Sequence, residues 1–89
     1  MQITFDEAKD ALNKSKHGVS LSEAEKLEWD DALIWQDTRR DYGEARMIAL
    51  GVIGDCLYCV VYVDREDARR IISLRKTNNK EKTLYAYHN

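Results

Sequence analysis

Apolar residues recur first at helical spacing and then at strand spacing, and the change of period falls near Trp29. Ile3 and Phe5 alternate as the opening of a short strand. Asp6 has the chemistry of a helix N-cap, as does Thr4 with Glu7 as its capping-box partner. Ala8, Ala11, Leu12 and Ser15 share one stripe, with Lys9, Asp10, Asn13 and Lys14 outside it, so a first helix is predicted to bury that stripe. Lys16 and His17 followed by Gly18 supply the stop, cations in the last turn and a glycine free to go left-handed. A second start follows at once. Ser20 and Glu23 form a capping box, Val19 can staple on Ala24, and Leu21, Ala24 and Leu27 give a short stripe, which predicts a second helix.

Beyond Trp29 the pattern turns to strands. Ala32–Trp35 is a short apolar run, and Asp37–Glu44 is a polar loop broken at Gly43. Arg46, Ile48 and Leu50 alternate with Met47 and Ala49 before the turn signals Gly51 and Gly54-Asp55. Cys56–Val63 is wholly apolar and rich in β-branched and aromatic residues, the mark of a central strand covered on both faces. Asp64–Asp67 reads as a charged turn and Ala68–Lys76 as another strand, with Ile72 and Leu74 expected toward the helices. Thr77 or Asn78 can cap a last helix carrying Glu81, Leu84, Tyr85 and His88 at i+3 and i+4 spacings. The order β-α-α-β-β-β-β-α with hairpin-length connections predicts an α+β domain, a small antiparallel sheet with two N-terminal helices and one C-terminal helix on one side.

Composition narrows the class. Eighty-nine residues, 44% hydrophobic and 34% charged, make one domain spanning 1–89, without a repeat or a membrane-length apolar run. Asp6, Glu7, Lys9 and Asp10 arrive where a secretory leader would be apolar, and two cysteines suit a reducing cytoplasm. The net charge of −2 conceals an asymmetry: residues 1–44 carry a net −5 and residues 45–89 a net +3. The basic excess runs from Arg65 to Lys82, so a polyanion suits that end and a basic protein the other.

Cys56 and Cys59 have redox or zinc spacing, but residues three apart on a strand point to opposite faces, so both are read as small core residues. His17 in a last helical turn compensates the dipole and can also act as an acid or base near neutral pH. His88 is expected to fray. Trp29, Trp35 and Tyr42 are candidate partner anchors, with Trp35 read as core. The richest stretch is Arg70–Thr77 with Glu81 and Tyr85. Alternation aims Ser73 and Arg75 away from the helices, and Glu81 and Tyr85 lie one turn apart on one helix face. Cleaving RNA without a metal needs a base for the 2′-hydroxyl, an acid for the leaving 5′-oxygen and cations for the phosphorane. Arginine suits the last task through its bidentate fork. A plain salt bridge between Arg75 and Glu81 accounts for the same residues. Arg70 and Arg75 are five apart, so ideal alternation points them to opposite faces; a bulge or the end of the strand near Lys76 brings them together, and otherwise one of them is structural.

Four segments resemble the BrnT toxins of bacterial type II toxin–antitoxin systems. They are Phe5-Asp6 with Lys9, Asn13 and Lys16-His17-Gly18-Val19-Ser20; Trp29-Asp30; Asp37-Thr38-Arg39-Arg40-Asp41-Tyr42-Gly43-Glu44 with Arg46 and Ala49-Leu50-Gly51; and Arg70-Ile71-Ile72-Ser73 with Arg75, Glu81 and Tyr85. The resemblance implies a RelE-like fold and a ribonuclease that cleaves RNA without metal or cofactor and inhibits translation. It implies neutralisation by a BrnA-type antitoxin, operator DNA contacted only through that antitoxin, and a toxin dimer within a heterotetramer. On this reading Arg75 is the phosphate clamp and Arg70 a second cation or a carboxylate's partner. Glu81 and Tyr85 transfer protons or orient Arg75, and His17 is the candidate general acid. Arg69, Lys76, Lys80 and Lys16 are the remaining RNA-binding cations. A non-catalytic interaction module and a degenerate toxin acting as the antitoxin's co-repressor are the competing functions.

Overall fold

The computed structural model describes residues 1–88, and in it β1 (Ile3–Phe5) passes directly into α1 (Glu7–His17). Asp6 is the N-cap: its carboxylate accepts the Ala8 and Lys9 amides at 2.8 and 3.2 Å. Gly18 closes the helix at a φ of 73°, and its amide returns to the Lys14 carbonyl. Both ends are as predicted; the buried face is not. Asp10 and Asn13 are the buried residues of α1, and Leu12 is 61% exposed. The reason lies in the strand beneath. β1 covers only Arg69–Ile71 of the neighbouring strand, and further along Asn13 takes a strand's place. Its Nδ2 donates to the Leu74 carbonyl at 2.8 Å and to the Val19 carbonyl at 2.9 Å, while the Leu74 amide donates to Oδ1 at 3.2 Å. Asp10 accepts the Leu21 amide at 2.7 Å and the Ser20 hydroxyl at 3.0 Å. Side chains that satisfy buried backbone groups dock α1, and its apolar stripe is left to solvent.

The second predicted helix is a 3₁₀ helix, Leu21–Lys26, capped by Ser20 and followed by a shorter one at Trp29–Asp31. Leu21, Ala24 and Leu27 are spaced by three, a repeat that lines up on one edge at three residues per turn but drifts at 3.6.

The remaining elements are β2 (Leu33–Gln36), β3 (Met47–Ile53), β4 (Cys56–Asp64), β5 (Arg69–Lys76) and α2 (Asn79–His88). They form one sheet of order β1-β5-β4-β3-β2. β2 through β5 are antiparallel as expected, but β1 runs parallel to β5, so the sheet is mixed. Residue periodicity carries no strand direction, and nearly the whole domain serves as the crossover between these two strands. β4 lies in the middle with both faces covered. One face meets the 3₁₀ helix, where Leu21, Ala24, Leu27, Ala49, Val60, Tyr62, Ile71 and Leu74 pack together. The other gathers Ile48, Leu50 and Cys59 with Leu33, Trp35 and Val61, and Tyr85 of α2 packs there. Helices therefore cover both faces, not one.

A bulge in β5 sets which side chains reach that second face. Val61 pairs with Ser73 but Tyr62 pairs with Ile71, so Ile72 is passed over. Ile71, not Ile72, consequently joins Leu74 in the core. The same slip places Arg70 opposite Val63, Ser73 opposite Val61 and Arg75 opposite Cys59, all on one face.

Candidate functional site

Arg75 and Glu81 meet where β5 gives way to α2. Asn78 caps α2 by accepting the Glu81 amide at 2.8 Å, and Glu81 Oε1 accepts the Asn78 amide at 2.9 Å, a reciprocal capping box. That box fixes the Glu81 carboxylate over the strand. Arg75 Nη1 donates to Oε1 at 2.8 Å and Nη2 to Oε2 at 2.7 Å, a fork-to-fork pair, with Nη1 also 3.2 Å from the Lys76 carbonyl. Glu81 is largely covered, its side chain 15% exposed, whereas that of Arg75 is 36% exposed. The Arg75 bonds hold the Glu81 carboxyl below its usual range against the opposing effect of burial, and Glu81 raises Arg75 in turn. Beneath them the buried Cys59 thiol is pushed up to about 11, first by desolvation.

The pair opens onto a groove of about 260 Å³. Its lining includes the apolar Trp35, Ile48, Val61 and Leu84 and the charged Arg39, Arg75, Lys80 and Glu81. Arg39 comes from the loop between β2 and β3. The buried carboxylate of Asp37 accepts its amide at 3.1 Å, Nε at 2.8 Å and Nη2 at 2.8 Å, and the Tyr42 hydroxyl at 3.2 Å. Those Arg39 bonds hold the Asp37 carboxyl far below the usual carboxylate range. Arg46 lies over the Tyr42 ring at 4.1 Å, which props the far side of the loop.

The sequence reading led to Arg75, Glu81 and Lys80, which the structure brings together, and missed Arg39. Its signal was available: an aspartate two residues before an arginine, with a tyrosine after, can grip that arginine locally. Tyr85 stands one turn beyond Glu81, but its ring packs on the Ile48–Leu50–Cys59 cluster and its hydroxyl donates to the Asp31 carbonyl at 3.4 Å. Arg70 shares the face of Arg75 yet sits four β4 positions away, about 13 Å at the rise of a strand. Its Nη2 is 3.8 Å from the Asp6 carboxylate.

The other predicted cations are spread more widely. His17 and Lys16 are exposed at the end of α1 and line no part of the groove. Arg69 is on the opposite face, bidentate to Asp64 at 2.7 and 3.1 Å and stacked on Trp29 and Tyr62 at 4.6 and 4.3 Å. Lys76 is exposed at the end of β5 and borders a separate hollow with Cys56 and Lys82. Cys56 is itself exposed, not buried, because it opens β4 beside the Gly54 turn. Among the described residues no group of three or more His, Cys, Asp or Glu side chains is placed to hold a metal ion, and no helix is long and apolar enough to cross a membrane.

Residues 5–81 match the family model described as the ribonuclease toxin BrnT of type II toxin–antitoxin systems. The crystal structure of the Brucella abortus ribonuclease toxin BrnT is similar, with a TM-score of 0.69, 26% identity, and coverage of 89% of this chain and 99% of that one. Among curated proteins no sequence match is found.

Proposed function

Because this chain belongs to the BrnT family of ribonuclease toxins of type II toxin–antitoxin systems, we propose that the Arg75–Glu81 groove binds RNA and cleaves its backbone without a metal. The observation that carries the proposal is the fork-to-fork pair set in a groove with a second and third cation beside it. An entering phosphate competes with Glu81 for the Arg75 guanidinium. As Arg75 turns to the phosphate, Glu81 loses the bonds that depress it and gains an anionic neighbour, so its proton affinity rises. Binding thereby converts a weak base into a useful one. Glu81 takes the 2′-hydroxyl proton, the 2′-oxygen attacks phosphorus, and the bond to the 5′-oxygen breaks with a proton supplied by Lys80. The products are a 2′,3′-cyclic phosphate and a 5′-hydroxyl end. Tyr85 anchors α2 so that Glu81 stays in place, while Arg70, Arg69, Lys76, Lys16 and His17 lie outside the groove and act on longer stretches of backbone.

We read the fold as RelE-like and the protein as a cytoplasmic inhibitor of translation. The family implies an antitoxin; a BrnA-type protein fits, holding a toxin dimer in a heterotetramer and alone touching operator DNA. The test is inducible expression in bacteria. The parent arrests growth, co-expression with the adjacent antitoxin frame relieves it, and Arg75→Ala is harmless. A non-cutting module would arrest growth without generating new RNA ends. A co-repressor relic would be harmless on its own and would tighten operator binding by its antitoxin.

A further inference from the structure

The loop between β2 and β3 puts a carboxylate that is 2% exposed under an arginine that is 74% exposed. Burying a charged carboxylate is costly unless its bonds are complete, and here three Arg39 donors and the Tyr42 hydroxyl complete them. The result is a fixed cation. The grip on Asp37 engages Nε and Nη2, one edge of the guanidinium, and Nη1 carries the opposite edge. Arg39 lines the same hollow as Arg75 and Lys80, and its field lowers the proton affinity of Arg75. Cations held together repel, an arrangement that an anion between them relieves. The same hollow is lined by the half-buried Trp35 and the 44% exposed Leu84, which carry no charge.

We propose that Arg39 is a second phosphate-binding residue of the groove and Trp35 the platform for an adjoining base, so that the groove takes single-stranded RNA. The inference rests on the ribonuclease reading and adds to it a substrate form and two residues. Arg75 and Arg39 hold the phosphate from two sides, and the next base leaves its neighbours to lie on the indole. A base inside a duplex has both faces covered and its edge paired, so it cannot lie on that ring.

The test measures binding, apart from cleavage, with a short 2′-O-methyl oligoribonucleotide of mixed sequence that lacks the attacking hydroxyl. Arg39→Ala is expected to weaken binding and to cut the slope of log affinity against log salt by about 0.7, the share of one phosphate on a single strand. Trp35→Ala is expected to weaken it about tenfold and Trp35→Phe to restore most of that loss, since stacking tolerates any aromatic face. The duplex of the same sequence is expected to bind at least about tenfold more weakly. Thermal unfolding of each variant accompanies the titrations, and if Trp35→Ala fails to fold, Trp35→Phe against Trp35→Leu decides the point.

Arg39→Ala with parental affinity and slope overturns the phosphate assignment, and equal affinity for duplex and single strand overturns the base platform. Arg75→Ala is the internal reference. If it weakens binding while Arg39→Ala does not, only the present inference fails. If the parent protein does not bind the oligonucleotide, the ribonuclease reading fails with it.

Discussion

Replacing Arg75 with alanine separates fold from chemistry, because the two effects differ in size. Arg75 makes two charged bonds to Glu81, at 2.7 and 2.8 Å, and one at 3.2 Å to the Lys76 carbonyl. With a third of the arginine side chain open to water, solvent screens the pair and its net contribution falls to about 1 kcal/mol. Glu81 is not stranded by the change, since the Asn78 amide still donates to it. A chain of 89 residues is stable by roughly 4–13 kcal/mol, so the variant stays folded and melts about 4–8 °C lower. The chemical effect is larger. Removing a preorganised donor from a reacting oxyanion costs about 10²–10³ in rate, or about 2.7–4 kcal/mol. Single-turnover cleavage of a labelled RNA, beside thermal unfolding followed by circular dichroism, reads both. Arg75→Lys falls between parent and alanine because it keeps the charge and loses the fork. A rate within about threefold of the parent, for a variant that is folded, would refute the idea that this guanidinium stabilises the transition state.

Other predictions concern the frame around the groove. Asn13→Ala removes three bonds that satisfy Leu74 and Val19, and is expected to cost about 2–4 kcal/mol in chemical denaturation, far more than a typical surface change. Asp10, Asp37 and Glu81 all have carboxyl pKa values lowered on folding. Their folded forms bind fewer protons than the unfolded chain in acid, so stability is full above the unfolded carboxylate values and drains away as pH falls below about 4, which melting curves from pH 7 to pH 3 will show. Cys56 is exposed and Cys59 buried with its thiol pushed up to about 11; a disulfide reagent should therefore titrate one thiol in the native protein and none in Cys56→Ser, with the second appearing only in denaturant.

The strands were legible in the sequence because each carries its own local signal, and so were the caps. Asp6, Gly18, Ser20 and Asn78 act where their chemistry indicated. What periodicity missed was decided by distant partners. The α1 stripe is solvated because Asn13 and Asp10 bond to backbone 61 and 11 residues away, and no helical wheel encodes that. The Ile72 bulge depends on pairing with β4, so the sequence offered it only as one of two ways, beside the strand's end near Lys76, for Arg70 and Arg75 to come together. The direction of β1 and the placing of α2 on the second face are likewise set by the whole sheet. At the site, Arg75 and Glu81 were readable because a strand end and a helix cap lie six residues apart. Arg39 had a local signal in Asp37 and Tyr42, but a polar loop gives no period to place it, and its position at the groove depends on Asp37 being buried at the end of β2.

The end groups left on RNA test the account most directly. Purified protein incubated with a defined RNA, with and without a chelator, is followed by mapping of the new termini. In-line attack by the 2′-oxygen, with Arg75 on the phosphate and Glu81 as base, yields 5′-hydroxyl and 2′,3′-cyclic phosphate ends whether or not chelator is present, and few or none with Arg75→Ala. New 5′-phosphate ends, cleavage that stops with the chelator, or intact RNA would contradict it.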